Sequence, residues 1–224
     1  MPGCRRAGTD NASGPMQAEP LVARSEYLWV EGGPAAIHAH MARPVVMALD
    51  RHGAHRVLDL GCGNGWLTAA LARCGFEATG LDLSHSGIQI ARAAHPEVPF
   101  HQGDALLPPP AAWQGRFDAV VAVETVDHVA RPEQLLAHAL QVLRPGGLLL
   151  LSVPYHGYLK NLGIALLGRT DLRLQALLHH GRLKFFSRQT LTALAVQAGF
   201  TPLDLQRLGR VPPLARSMLL VARR

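Results

Sequence analysis

Cysteine is scarce in this chain. The three present, Cys4, Cys62 and Cys74, are odd in number and show no CxxC spacing. They suggest neither a disulfide framework nor a zinc site, and a reducing compartment is the simpler expectation. The twelve histidines include no HExxH and no other paired ligand spacing, so no metal is expected. No run of about 18 apolar residues exists, so no helix is expected to span a membrane. The first twenty residues, MPGCRRAGTDNASGPMQAEP, hold two arginines with no apolar stretch behind them, unlike a signal peptide. Their Gly, Pro, Ser and Asn content reads as a disordered lead (1–20), and the expected location is cytoplasmic.

Charge is also modest. Charged residues make up 17% and apolar residues 48% of the 224, the balance of a globular chain with a sizeable core. That length suits one α/β domain and is short for two. The net charge of +6 and pI near 9.9 raise the possibility of a nucleic-acid partner. Yet Arg5, Arg6, Arg216, Arg223 and Arg224 fall in the lead or the last strand, and the other basic residues are scattered without a binding signature. A solvated basic surface is the expectation, with no nucleic-acid partner.

What is present is an alternation of strand and helix. Tyr27 to Asp50 reads as helical, broken or kinked near Pro34 and Pro44, within an N-terminal cap spanning 21–53. From residue 54 onward, strand His55–Leu60 precedes helix Gly65–Cys74, and strand Glu77–Leu81 precedes helix His85–Ala94. Val98–Gln102 is a short strand. Phe117–Val123 is an unbroken apolar run of the kind buried on both faces. Helix Pro132–Leu143 ends at Arg144-Pro145-Gly146-Gly147, and Leu148–Val153 is the next strand. Residues 154–186 interrupt the rhythm with aromatics, histidines and two apolar helical pieces, Leu162–Leu167 and Leu172–Leu178. Helix Ser187–Ala198 and strands Thr201–Leu208 and Met218–Ala222 close the chain. Such alternation predicts a doubly wound α/β fold with a mostly parallel sheet.

The chemistry concentrates in VLDLGCGNGWLTAALARCGFEATGLDLS, Val57–Ser84. Gly61-Cys62-Gly63-Asn64-Gly65 lets a backbone turn sharply and a ligand approach without meeting a Cβ. In the dinucleotide fingerprint GxGxxG a pyrophosphate sits on the helix N-terminus. Here the third glycine comes one position early and Trp66 stands where that fingerprint has glycine. Asp82 ends the second strand, and a carboxylate there can accept both ribose hydroxyls. Asp59, an acid in a buried strand, needs a reason to be there, such as an ammonium or sulfonium. Asp104 ends the third strand and can accept from an exocyclic adenine amine. Alone, Asp59 and Asp104 could equally cap turns; with Asp82 and the glycine turn they point to a cationic nucleoside.

VLDLGCGNG (57–65), GLDLS (80–84), GDA (103–105), FDAVVAVETVDHV (117–129) and LRPGGLLLLSVP (143–154) together resemble the class I S-adenosylmethionine-dependent methyltransferases. The similarity runs from about residue 55 to the end, and points to the small-molecule branch that includes ubiquinone and menaquinone biosynthesis methylases. It implies a seven-stranded sheet with the last strand antiparallel, and S-adenosyl-L-methionine as cofactor. Carried over, Asp59, Gly61, Cys62, Gly63 and Gly65 line the methionine end, and Asp82 holds the ribose with Leu83 beside the adenine. Asp104 and Ala105 flank that ring, and Val123 and Glu124 close the pocket. Tyr27, Trp29 and His38 match the family's N-terminal cap only loosely.

For the acceptor, the resemblance suggests His128 as general base, since related sugar and quinol methylases use a histidine thereabouts. Packing within the loop is the competing reading. Asp127 could orient it or cap the next helix, and His156 is a weaker second candidate. The Asn/Asp-Pro-Pro-aromatic loop of nucleic-acid methylases is absent: Glu124-Thr125-Val126 stands there, and Val153-Pro154-Tyr155 is no substitute. Residues 154–186 should cover the substrate, their leucines and aromatics suggesting an apolar or aromatic acceptor and transient lipid contact. O-methylation of an aromatic or quinol-like small molecule is the leading expectation. N- or C-methylation of another metabolite, a sugar or a lipid stays open, as does a catalytically silent cofactor-binding subunit. A monomer or homodimer is expected.

Overall fold

The computed structural model describes residues 29, 36–155, 157, 183–209 and 215–224, with residues 36–39 as backbone only. The elements in chain order are α1 (Ala36–Arg51), β1 (Arg56–Leu60), α2 (Trp66–Arg73), β2 (Glu77–Asp82), α3 (His85–Ala94) and β3 (Phe100–Gln102). After a 3-10 turn come β4 (Phe117–Val123), α4 (Pro132–Val142), β5 (Leu143–Pro154), α5 (Arg188–Gln197), β6 (Thr201–Leu208) and β7 (Ser217–Arg223). Six of the proposed lead-and-cap and insertion features, Tyr27, Pro34, the His38 side chain, His156 and the pieces Leu162–Leu167 and Leu172–Leu178, lie outside the described residues.

Seven strands form one sheet in the order β3-β2-β1-β4-β5-β7-β6. All pairs are parallel except β5–β7 and β6–β7. The exception has a simple cause: only residues 209–216 separate β6 from β7, too few for the crossover that a parallel neighbour requires. The order reverses between β1 and β4, and a doubly wound sheet opens its ligand crevice outside the strand ends at such a point.

Period-two alternation divides the core. Leu58, Leu60, Val120, Ala122, Leu149 and Leu151 face α4 and α5, where Leu135, Leu136, Leu191 and Ala195 are buried. Val57, Ala119, Val121, Leu148 and Leu150 face α1 and α2, meeting Met41, Val45, Leu49, Leu67 and Leu71. Each such leucine contributes about 1.5–3 kcal/mol by leaving water. This burial also excludes the expected break, though not the kink, at Pro44. α1 continues through Pro44 as one helix, because Met41, Val45, Ala48 and Leu49 anchor both sides of the proline. A departure from expectation is the Arg144-Pro145-Gly146-Gly147 turn, which is drawn into an irregular start of β5. Leu143 pairs with Phe117 before the register shifts to Leu148 opposite Ala119.

At the ends of the strands away from the crevice, Asp118 joins three strands. Its carboxylate accepts from His55 N at 3.0 Å, Arg56 N at 2.7 Å and Arg144 Nε at 2.6 Å. Burial alone would raise this carboxyl, but the Arg56 amide, the Arg144 guanidinium and the His55 amide together hold it below the usual carboxylate range. Its stabilising effect is therefore present above the ordinary carboxylate pKa and lost as pH falls through the lowered one. Asp118→Asn should cost about 1–3 kcal/mol in urea unfolding at neutral pH. The gap to the unaltered protein should close in strong acid; a gap independent of pH would contradict the assignment.

Candidate functional site

Parity along the strands places two acids on one face. Asp59 shares the face of Val57, toward α2, and Asp82 shares the face of Ala78 and Gly80. Both stand at the crevice ends of their strands, on either side of the glycine turn.

Asp82 is the hub of that region. One carboxylate oxygen accepts from Gly63 N at 2.7 Å and the other from Ser84 N at 2.7 Å. Its carbonyl accepts from Gly103 N at 2.9 Å. Three turns, after β1, β2 and β3, thus converge on one residue. Leu83 beside it is 53% exposed. Asp104 follows Gly103, and its Oδ1 accepts from Leu106 N at 2.8 Å, so it does cap its turn while Oδ2 is left for another donor. Ala105 packs half-buried against the core.

Asp59 is 2% exposed and accepts from Thr68 Oγ1 at 2.7 Å. Burial pushes its carboxyl up to about 7; the Thr68 hydroxyl opposes the shift and the Asp82 charge adds to it. Thr68 was not among the residues anticipated. The signal for it was a hydroxyl within the otherwise apolar buried side of α2, beside Leu67, Ala69 and Leu71.

The glycines divide by what they face. Gly63 adopts φ 54°, and a Cβ there would run into the Trp29 indole. Gly61 lies against Thr125, whose hydroxyl donates to Leu60 O at 3.1 Å and locks the β1 turn to the loop after β4. Gly65 instead packs against Ala91 and Phe100, beneath the turn. Cys62 points the same way, its thiol buried among Ala69, Ile88 and Phe100 and raised well above the ordinary range by burial. A ligand above the turn can meet Cys62 only through its backbone.

Beyond β4, Val123 is buried on the α1–α2 side of the sheet. Glu124 holds φ 54°, the one left-handed non-glycine residue among those described. It is kept there by two bonds to β5: its amide donates to Ser152 O at 3.1 Å, and Ser152 Oγ donates to Glu124 Oε1 at 3.1 Å. Such strain persists where surrounding contacts over-determine it, most often at ligand sites. His128 follows in a turn, with Nε2 3.7 Å from Asp127 Oδ2 and its side chain 37% exposed. Asp127 is buried, and its carbonyl accepts from Leu183 N and Lys184 N, bringing that segment beside His128. Among the described residues no cluster of three or more His, Cys, Asp or Glu is arranged to hold a metal ion.

A family profile described as a methyltransferase domain matches residues 31–205. The chain belongs to that family. The methyltransferase domain is 32% identical over 154 residues to a ubiquinone biosynthesis O-methyltransferase of Aromatoleum aromaticum, covering 67% of this chain and 65% of the relative. A protein of the same name from Methylobacterium is 36% identical over 138 residues, covering 54% and 55%. The matched region therefore spans somewhat over half the length of these relatives. Magnesium protoporphyrin IX methyltransferase of Synechocystis PCC 6803, solved with bound S-adenosylhomocysteine, superposes with a TM-score of 0.62 at 21% identity over 82% of each chain. The last likeness establishes the fold.

The raised Asp59 carboxyl has a measurable sign. Between the ordinary carboxylate pKa and about 7 the folded domain holds a proton that the unfolded chain has released. Stability should therefore fall as pH rises through that window. Asp59→Asn removes this slope, and above pH 7 should stabilise the ligand-free domain by a few kcal/mol, on the order set by a shift of this size. Parallel pH–stability curves for the two proteins would refute the account.

Proposed function

We propose that this protein transfers the methyl group of S-adenosyl-L-methionine to a small-molecule acceptor, at an oxygen of an aromatic or quinol-like compound. The observation that carries the reading is the pair of acids bracketing Gly63. A pyrophosphate at this turn would meet Asp59 and Asp82, and the Gly63 and Ser84 amides that could hold it already donate to Asp82. A nucleoside with a cationic tail meets the same groups favourably. Its ribose hydroxyls suit a carboxylate such as Asp82, and its positive charge relieves the cost of ionising Asp59.

S-adenosyl-L-methionine supplies a methyl group on a sulfonium that departs as a neutral thioether. What this chain contributes is placement and charge. Asp59, Gly61 and Gly63 line the methionine end, Asp82 and Leu83 the ribose and the edge of the adenine. Asp104 offers Oδ2 to the exocyclic amine with Ala105 beside it, and Val123 and Glu124 form the wall toward the acceptor. Cys62 and Gly65 shape the turn from beneath. A phenol has a pKa of about 10, so attack by its oxygen benefits from a base. His128 takes that role: its half-exposed imidazole, with Nε2 3.7 Å from Asp127 Oδ2, accepts the hydroxyl proton as the O–methyl bond forms. The names of the two relatives support oxygen as the methylated atom.

Methyl transfer from labelled cofactor to catechols, quinols or a cell extract tests the activity. Normal cofactor binding with no labelled product in any fraction would overturn it in favour of a silent binding subunit. His128→Gln should lower kcat by about 10²-fold, remove the acid limb of the pH–rate profile and leave cofactor affinity unchanged. An unaltered profile would remove His128 from the chemistry. Binding should also expel the Asp59 proton below about pH 7. Calorimetry in two buffers of different ionisation enthalpy should show this release, and Asp59→Asn should abolish it.

A further inference from the structure

Trp29 lies far from the glycine turn in sequence, yet its ring is seated on it. The indole occupies the space beside Gly63 where a side chain would project, and its Cδ1 would stand 2.9 Å from a Cβ at Gly87. Two residues without side chains, one in the turn after β1 and one in the first turn of α3, thus make a slot for one aromatic ring. The backbone of Trp29 is fixed independently: its amide donates to Ser86 Oγ at 3.2 Å. Ser86 Oγ is 3.0 Å from Ser84 Oγ, which also accepts from Gly87 N at 3.0 Å. The Ser84 amide donates to Asp82, and Asp82 accepts from Gly63. The contacts close a ring of residues, Gly63–Asp82–Ser84–Ser86–Trp29 and back to Gly63.

We infer that Trp29 is a wall of the nucleoside site and that Ser86 is the positioning residue that holds it there. This rests on the reading that the Asp82 turn binds the cofactor. A ring held on Gly63 adds an apolar, π-rich surface at the rim of a cradle already bearing two acids. That surface screens the bound ligand from water and favours a cation nearby. A tryptophan that only anchored its own segment to α3 would need a gap at Gly87 alone. The slot at Gly63 instead puts the ring on the residue whose amide Asp82 holds. Ser86 reaches the site by two routes, through the Trp29 amide and through Ser84, and the share that runs through the indole should vanish once the indole is gone.

The test is calorimetric binding of S-adenosylmethionine and S-adenosylhomocysteine to the unaltered chain, Trp29→Leu, Trp29→Phe, Ser86→Ala and the double variant Ser86→Ala/Trp29→Leu. Trp29→Leu should weaken both ligands about tenfold or more, and Trp29→Phe should retain most of the affinity. Ser86→Ala should weaken both by about threefold to fivefold, and the double variant should lose clearly less than the product of the two single effects, the signature of coupled residues. Ligand binding should also change tryptophan emission in the unaltered chain and do so much less in Trp29→Phe. Trp29→Leu within twofold of the unaltered chain, or strictly multiplicative losses in the double variant, would overturn the inference while leaving the cofactor reading intact. Failure of the unaltered chain to bind either ligand would overturn both.

Discussion

The carboxylate of Asp82 is the constraint on which the crevice depends. It satisfies two backbone amides from two different turns, Gly63 and Ser84, while its own carbonyl receives a third from Gly103. A charge-assisted bond to a backbone amide is among the stronger hydrogen bonds available. Here two of them set the separation between the β1 turn and the start of α3. The turns after β1, β2 and β3 are in this way placed relative to one residue. The indole of Trp29 inherits the same reference through Ser84 and Ser86.

The same crevice carries a cost. Asp59 is buried beside Asp82 with one hydroxyl for company, an arrangement that a domain selected for stability alone would replace with an apolar or amide side chain. At the opposite ends of the strands, Asp118 is less deeply buried and has two backbone amides and a guanidinium, and there the ionised form is favoured. The contrast separates two uses of an acid in a strand. Asp118 is satisfied by the fold, whereas Asp59 is left with a demand that a cationic ligand can meet.

Much of this was legible in the residues. Apart from the early start of β5, the strand and helix blocks fall within a residue or two of their expected limits from β1 to β7, because apolar periodicity, the Ser84 and Ser187 caps and the glycine turn all agree locally. The antiparallel last strand was implied by family resemblance. Less legible was everything that depends on which elements become neighbours. That Gly65 and Cys62 look downward onto Phe100 requires knowing that β3 and α3 lie beneath the turn. Thr68, Thr125, Ser152 and Ser86 are ordinary polar residues in sequence, and acquire roles only from partners 9 to 65 positions away. Pro44 left open whether the helix breaks there, and tertiary burial of α1 on both sides of it keeps the helix continuous.

The lock between Thr125 and the β1 turn bears on the order in which the protein can be built. The hydroxyl of Thr125 bonds the carbonyl of Leu60 across 65 positions, and its methyl group fills the space beside Gly61. A nascent chain that has only reached α3 possesses every glycine and acid of the turn but not the wedge that closes it. The crevice is consequently a late acquisition in synthesis, completed only once β4 has slotted beside β1. Nonlocal closure of this kind is slow compared with forming a helix or hairpin. Any binding at this crevice is thereby tied to the centre of the sheet having assembled.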